Sequence, residues 1–454
     1  MTAVLLLVVS LCVALPGAYA VALVPAFWLL ERLFIEPGDT IMTVGPMDVT
    51  VGDIGISILL GKLLFDIARR RSIAAERRLY AMLGIFLYVN LLATFVAGVK
   101  FGESHLLGSA IALARVAALM MLVPITAQAM KTVPQARHCL WILLGTLGVL
   151  AAIQFVNFFG ASRGIIIGEV QGLERGEVRY FGPVGDSVGF VLLLGYLVAL
   201  CFGSLAGAGA FLGAILLTAG LGAIFATALG SAFFLLAARH APAFAAAVRR
   251  RMWLLPTLLA GGMVAGVLYA RPFIGPLLDR VATGSYTNST EGRIDSARSA
   301  VAMILDNPLF GVGYMGYERS LERYGGDQFF DLSKPSGSTA NANNQVLQTL
   351  TDSGLPGLVV FVGLIVSVGR SFLTIAARHD EPFFSAFYLG ALIWLLALAF
   401  GNLGAVWLLP SFGEILLWIL LGISVALPRL LAKQTPREGV RTHRRRRIQR
   451  LTVA

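Results

Sequence analysis

The chain has 454 residues, 57% of them hydrophobic and 13% charged, with a formal net charge of +11 and a mean hydropathy of +0.79. A soluble domain carries roughly a quarter charged residues, so this composition excludes an ordinary water-soluble protein and points to lipid around most of the surface. The positive charge does not indicate nucleic acid, because the arginines cluster in short loops between apolar runs, as the orientation signals of membrane proteins do.

Apolar runs lie near 3–30, 52–68, 79–98, 105–125, 138–158, 183–203, 208–222, 224–238, 252–270, 356–374, 383–402 and 408–428. A run of about 20 residues crosses a bilayer core. The pattern predicts an all-α polytopic membrane protein with about 12 transmembrane helices. The first run is interrupted at Pro16–Gly17, so it is either a kinked helix or a short hairpin. It lacks a basic flank and a small-residue cleavage site and reads as a retained helix. The Gly and Ala content of 208–238 predicts closely packed helices. Cys12, Cys139 and Cys201 all fall inside apolar runs and give no disulfide framework. Lys62 and Asp66 are four apart near a helix end, as a local ion pair or as snorkelling groups. Arg115 sits in the middle of the run 105–125. A charge at that depth faces a cavity or a buried partner rather than lipid.

Basic residues fall on one side of this arrangement: Arg69 to Arg71, Arg77 and Arg78, Lys131 and Arg137, Arg239, Arg249 to Arg251, Arg378 and the tail Arg441 to Arg450. That side is predicted to be the cytoplasm of a bacterial inner (cytoplasmic) membrane, with both termini on it. The tail is either a topology anchor or a binder of anionic lipids. The expected organisation is a transmembrane bundle over 1–270, with a smaller periplasmic loop at 159–182. A large periplasmic loop over 271–355, the last three transmembrane helices over 356–428 and a basic tail over 429–454 complete it.

The loop 271–355 is far longer than the usual connection of about 4–6 residues, and its Tyr, Phe, Leu and Ile content predicts order. A helix is expected over 291–306, with Ile294, Ala297, Val301, Ile304 and Leu305 on one face. Asn288, Ser289 or Thr290 caps its start, and Asn307–Pro308 ends it. Gly311 to Tyr317 form a bend of little side-chain bulk. A second helix is expected from near Ala342 to Ser353, with Gly354 at its stop position and Asn344, Leu347, Gln348 and Thr351 on one face.

The far-side loops are rich in arginine: Arg163, Arg175 and Arg179 in the smaller one, and Arg271, Arg280, Arg293, Arg298, Arg319 and Arg323 in the larger. Guanidinium groups pair with phosphate and pyrophosphate through paired hydrogen bonds. The same arginines have acidic neighbours in Glu174, Glu177, Glu291, Asp295 and Glu322, so each has two readings. The sequence holds no P-loop, no dinucleotide fingerprint, no HExxH and no Cys/His metal spacing, so no cofactor and no metal site are expected. Of the five histidines only His105 falls near the far side, so a general base in the large loop would have to be a carboxylate or another device.

Gly292-Arg293 followed by Asp306-Asn307-Pro308-Leu309-Phe310-Gly311-Val312-Gly313, then Asn343-Asn344-Gln345-Val346-Leu347-Gln348-Thr349-Leu350-Thr351-Asp352-Ser353-Gly354, and Arg179-Tyr180-Phe181-Gly182 before a helix, resemble the signatures of the O-antigen ligase / O-antigen polymerase superfamily. The resemblance implies a GT-C-like fold and a metal- and nucleotide-independent glycosyltransferase. Its substrate would be an undecaprenyl-pyrophosphate-linked oligosaccharide, and a chain-length regulator and flippase are possible partners. It implies that Arg179 and Arg293 hold the donor pyrophosphate, with Arg163, Arg175, Arg298, Arg115 and Tyr314 as further substrate contacts. Asn343 and Asn344 would orient acceptor hydroxyls or the departing phosphate, and Asp352 would be an acid/base or a helix tether. Two departures stand out. Asn343 occupies the place of the ligase histidine and cannot accept a proton at neutral pH. Leu229-Gly230-Ser231 stands where the family often has Ser-Arg-Gly. The first departure favours a polymerase over a ligase, and both leave room for altered activity. A transporter or a non-catalytic scaffold of envelope assembly is the reading of another class.

Overall fold

The structure, a computed structural model, describes residues 2–34, 42–44, 47–49, 51–70, 76–172, 178–182, 187–218, 221–240, 288–324, 341–378, 381–401 and 412–434. Its helices, in chain order, are α1 (Thr2–Ala14), α2 (Gly17–Phe34), α3 (Val51–Arg70), α4 (Arg77–Phe101), α5 (Glu103–Met120), α6 (Leu122–Ala129) and α7 (Val133–Gly160). They continue with α8 (Val188–Cys201), α9 (Leu205–Leu217), α10 (Leu221–His240), α11 (Asn288–Asp306), α12 (Gln345–Ala376), α13 (Pro382–Gly401) and α14 (Phe412–Gln434). Two antiparallel hairpins add a little β-structure in the connections. One pairs β1 (Met42–Val44) with β2 (Met47–Val49), and the other pairs β3 (Glu169–Gly172) with β4 (Val178–Gly182).

Among the described residues six helices are long and apolar enough to span a membrane: Arg77–Phe101, Glu103–Ala129, Val133–Gly160, Gln345–Ala376, Pro382–Phe400 and Gly413–Lys433. Gly17–Leu30, Val188–Cys201, Leu205–Leu217 and Gly222–Ala238 are apolar but shorter. The sequence-based count of about 12 spans is thus not reached among the described residues, and the run 252–270 and the tail lie outside them.

Local chemistry sets the breaks. The first apolar run is two helices parted at Pro16, and Lys62 of α3 closes the gap. Its ammonium donates to the carbonyls of Cys12 and Val13, the latter at 3.1 Å, at the C-terminal end of α1. A cation there satisfies carbonyls that have no helical partner and faces the negative end of the dipole. Lys62 therefore caps α1, and the Asp66 side chain lies outside the described residues. Thr132 caps α7 by accepting from the Gln135 backbone N–H, and Ser204 caps α9 through the Gly207 N–H.

The core centres on α8, in which every residue is buried, and on α14, where Leu416 to Leu421 are all buried. Two aromatic side chains lock neighbours to them. Trp394 of α13 donates to the Phe190 carbonyl of α8 at 2.8 Å, and Tyr388 donates to the Leu420 carbonyl of α14 at 2.8 Å. In the segment that departs from Ser-Arg-Gly, Gly230 packs against Leu197 and Ala397. Ser231 shares a hydrogen bond of 2.9 Å with Tyr196. Here the segment serves close helix packing.

Candidate functional site

The large loop forms its own small core beside the bundle. Ala300 and Met303 of α11 pack with Val312, Tyr317, Leu321 and Ala342, and Phe101 at the end of α4 closes one side. The end of α11 agrees with the sequence, before Asn307–Pro308, while its start is three residues earlier than expected, so that Asn288, Ser289 and Thr290 lie inside the helix rather than capping it. The inward residues are Ser296, Ser299, Ala300 and Met303, while Ile294, Val301 and Leu305 share one face as expected, and that face is exposed. The cause is the neighbour. Tyr317 donates its hydroxyl to the Ser296 carbonyl at 2.9 Å, and so bulky a ring against the helix requires small residues facing it.

The two loop motifs interlock through their backbones. Val312 N–H donates to the Thr351 carbonyl at 2.7 Å and Leu355 N–H to the Pro308 carbonyl at 3.0 Å. Gly354 makes this possible. Its φ is +64°, it breaks α12 into a short loop helix and the span proper, and a Cβ there would lie 2.4 Å from the Leu309 carbonyl. Only glycine takes such a backbone at so close an approach. The bend 311–317 then descends into the bundle. Tyr314 N–H donates to Thr94 of α4 at 3.3 Å, and His105 Nε2 donates to the Val312 carbonyl at 2.5 Å. Arg319 reaches Ser109 of α5 at 3.2 Å and the Met315 carbonyl at 3.3 Å. Deeper still, Ser353 meets Asn90 of α4.

Asp352 is the hinge of this wedge. Both of its oxygens accept from Gln348 at 3.0 Å, and the backbone N–H groups of Met315, Gly316 and Tyr317 also bond to it. It tethers the loop helix to the bend. Gln348 in turn accepts from Ala342 N–H at 2.9 Å. Below Asp352 a recess runs between α4, α5, α12 and α14. Its lining is polar at Tyr314, Gln345, Gln348 and Asp352 and apolar at Phe86, Met120, Phe361 and Trp418. Glu414 lines the same recess and accepts from Trp418 at 3.0 Å, with the Arg115 charge acting on it. This gives the mid-membrane arginine its electrostatic partner across α5 and α14.

The predicted residues are distributed as follows. Tyr314 is buried and lines the recess. Asn344 caps the loop helix, accepting from the N–H groups of Val346 at 2.8 Å and Leu347 at 3.1 Å. Asn343 is half-buried, has φ +52° and donates to Ser296 at 3.4 Å. Asn, Asp and His are the side chains that tolerate this left-handed backbone best, so the position suits the family's histidine and this chain's asparagine alike. Arg293 lies on α11 three residues before Ser296, and Arg179 lies on β4 opposite Gln171, in a hairpin against α7. The side chains of both are outside the described ones, and Arg175 is outside altogether. Arg163 is exposed beyond α7. Arg298 is exposed and pairs with Asp295 at 3.1 Å, which is the acidic-neighbour reading.

Three cations gather at the end of α4 and in the loop: Lys100, which the sequence did not single out, and Arg319 and Arg323, counted above among the loop arginines. Lys100 donates to Asn307 at 2.5 Å, and Lys100 and Arg323 lie 5.5 and 5.3 Å from the Phe101 ring. The Arg319 guanidinium packs over Gly108, where a Cβ would come within 2.4 Å of it. Burial lowers the Arg319 pKa, opposed by the charges of Glu318 and Asp352. Nothing in the local sequence shows what Lys100 and Arg319 bond to, because Asn307 and Ser109 are some 200 positions away from them. Among the described residues no group of His, Cys, Asp and Glu side chains could hold a metal ion.

The bundle and its interlocked loop define a multi-pass helical membrane protein with a structured surface at one end. Residues 190–362, which run from α8 through both loop motifs into α12, match the family model described as O-antigen ligase. The match supports a glycan transferase of the O-antigen ligase and polymerase superfamily. No curated protein matches the sequence.

Proposed function

We propose that the protein is a polymerase that joins undecaprenyl-pyrophosphate-linked oligosaccharide repeat units at the outer face of a bacterial inner membrane. The observation that carries this reading is Asn343. It stands in a loop matched by the O-antigen ligase family, in a backbone conformation suited to histidine, yet without a proton-accepting nitrogen. A ligase-type general base is thereby missing, while the rest of the loop architecture is kept.

In this reading an acceptor-sugar hydroxyl attacks the anomeric carbon of the donor chain. The carbon–oxygen bond to the pyrophosphate breaks, undecaprenyl pyrophosphate departs, and the hydroxyl proton leaves to water. Arg179 and Arg293 bind the pyrophosphate and stabilise its developing charge, and Asn343 orients the acceptor hydroxyl. Catalysis rests on positioning and on stabilisation of the leaving group. Cytoplasmic termini, a chain-length regulator and flippase as partners, and anionic lipid at the tail belong to the same proposal.

The test is a glycan gel of a chromosomal deletion complemented with wild type or Arg293→Ala. A polymerase predicts loss of long chains, with single repeats still reaching their final acceptor, in both the deletion and the Arg293→Ala strain. Accumulation of lipid-linked polymer with no transfer indicates a ligase. An unchanged profile in a strain that makes such polymers overturns glycan transfer and favours a transporter or scaffold.

A further inference from the structure

Helix α11 turns its large apolar side chains outward. Ile294, Val301 and Leu305 are 41%, 45% and 74% exposed, and Leu309 in the following turn is 60% exposed. Positions 294, 301 and 305 fall on one side of a 3.6-residue helix, opposite the buried Ser296, Ser299, Ala300 and Met303. Large apolar groups outside and serines inside is the reverse of the order that water selects.

This stripe joins the surface of the bundle. Leu355 N–H bonds to the Pro308 carbonyl, and Leu355 is itself exposed. It opens the row Leu355, Val359, Val362, Val366 along α12, all exposed and all on one helix face. On a helix apolar and long enough to span a membrane, such a row is covered by lipid. On the other flank Lys100, in the last turn of α4, holds Asn307. The C-terminal end of α11 thus meets the bundle where two spans end. Arg298 is exposed one turn back on the same face, paired with Asp295. A long cationic side chain beside an apolar stripe is how interfacial helices reach headgroups.

We infer that the outward face of the C-terminal half of α11, Val301, Leu305 and Leu309, lies in the interface of the phospholipid bilayer, with Arg298 at headgroup level. Phospholipid is the occupant because the exposed surface is continuous with the lipid-facing row of α12. A protein bound to the same face would have to displace lipid from that row. This inference does not depend on the chemistry proposed for the loop.

The test uses the full chain in phospholipid vesicles, with Val301→Cys and Leu305→Cys each labelled with the environment-sensitive fluorophore NBD. The native Cys12, Cys139 and Cys201 are buried, and both new positions are exposed, so neither substitution disturbs packing. Val359→Cys serves as the lipid reference and Glu322→Cys as the aqueous one. The expected result is blue-shifted emission at both positions, and quenching by nitroxide-labelled acyl chains comparable with Val359→Cys. Emission and quenching like Glu322→Cys overturn the inference. So does a blue shift without quenching by labelled lipid, which means that protein covers the face.

Discussion

Asp352 shows how one carboxylate can be read in two ways. Its position in the second motif suits an acid/base, but its oxygens are occupied by Gln348 and by backbone N–H groups of the bend. A tether and a proton carrier respond differently to substitution. We expect Asp352→Asn, which keeps one acceptor oxygen of the two and the shape of the side chain, to retain most glycan transfer in a membrane assay. Asp352→Ala leaves several buried donors unmet at about 1–3 kcal/mol each and should lower the thermal unfolding temperature in detergent sharply. Loss of transfer in Asp352→Asn at unchanged stability would instead assign it proton transfer. Arg319 is the other residue whose setting defines its role. Its guanidinium needs the empty space over Gly108, so Gly108→Ala should displace it and cost about 1–3 kcal/mol, as overpacking does. The check is whether Gly108→Ala and Arg319→Ala give similar melting shifts that do not add when combined.

At the scale of elements the kink at Gly354 is decisive. It separates a loop helix that carries motif residues from a span that faces lipid, and it lets the two motifs exchange backbone hydrogen bonds. Gly354→Ala combines a left-handed backbone, which costs about 1–2 kcal/mol outside glycine, with contact against Leu309. We expect a fall of at least about 2 kcal/mol and a loop that protease cuts faster in vesicles, whereas Gly363→Ala, on the span proper and with only the flexible end of Met82 nearby, should change little. The sequence located this break and both loop helices, because Asn–Pro and glycine act locally, while the helix starts lay elsewhere than its caps suggested. It placed Ile294, Val301 and Leu305 on one face of α11 but not what that face meets, because periodicity identifies an apolar stripe and says nothing of whether protein or lipid covers it.

For the whole molecule the open question is how the spans add up. Six helices are long enough to cross, and four are shorter. If the run 252–270 crosses once, a periplasm-active reporter fused after His240 and one fused after Tyr324 must report opposite sides, the second active. The same side for both would remove that crossing and reverse the loop relative to the basic connections.

Composition, apolar runs and the distribution of arginine sufficed for a helical membrane protein, since burial in lipid is a property of each segment by itself. The motif order sufficed for the superfamily that the match over residues 190–362 supports. Contacts between distant segments were decided only by the tertiary structure. Lys62 capping α1, Arg115 acting on Glu414, His105 and Arg319 pinning the bend and Asp352 tethering it are all pairings whose energy depends on where two chain segments meet. A residue's type and spacing fix what it can bond to, and the fold alone decides which partner arrives within reach.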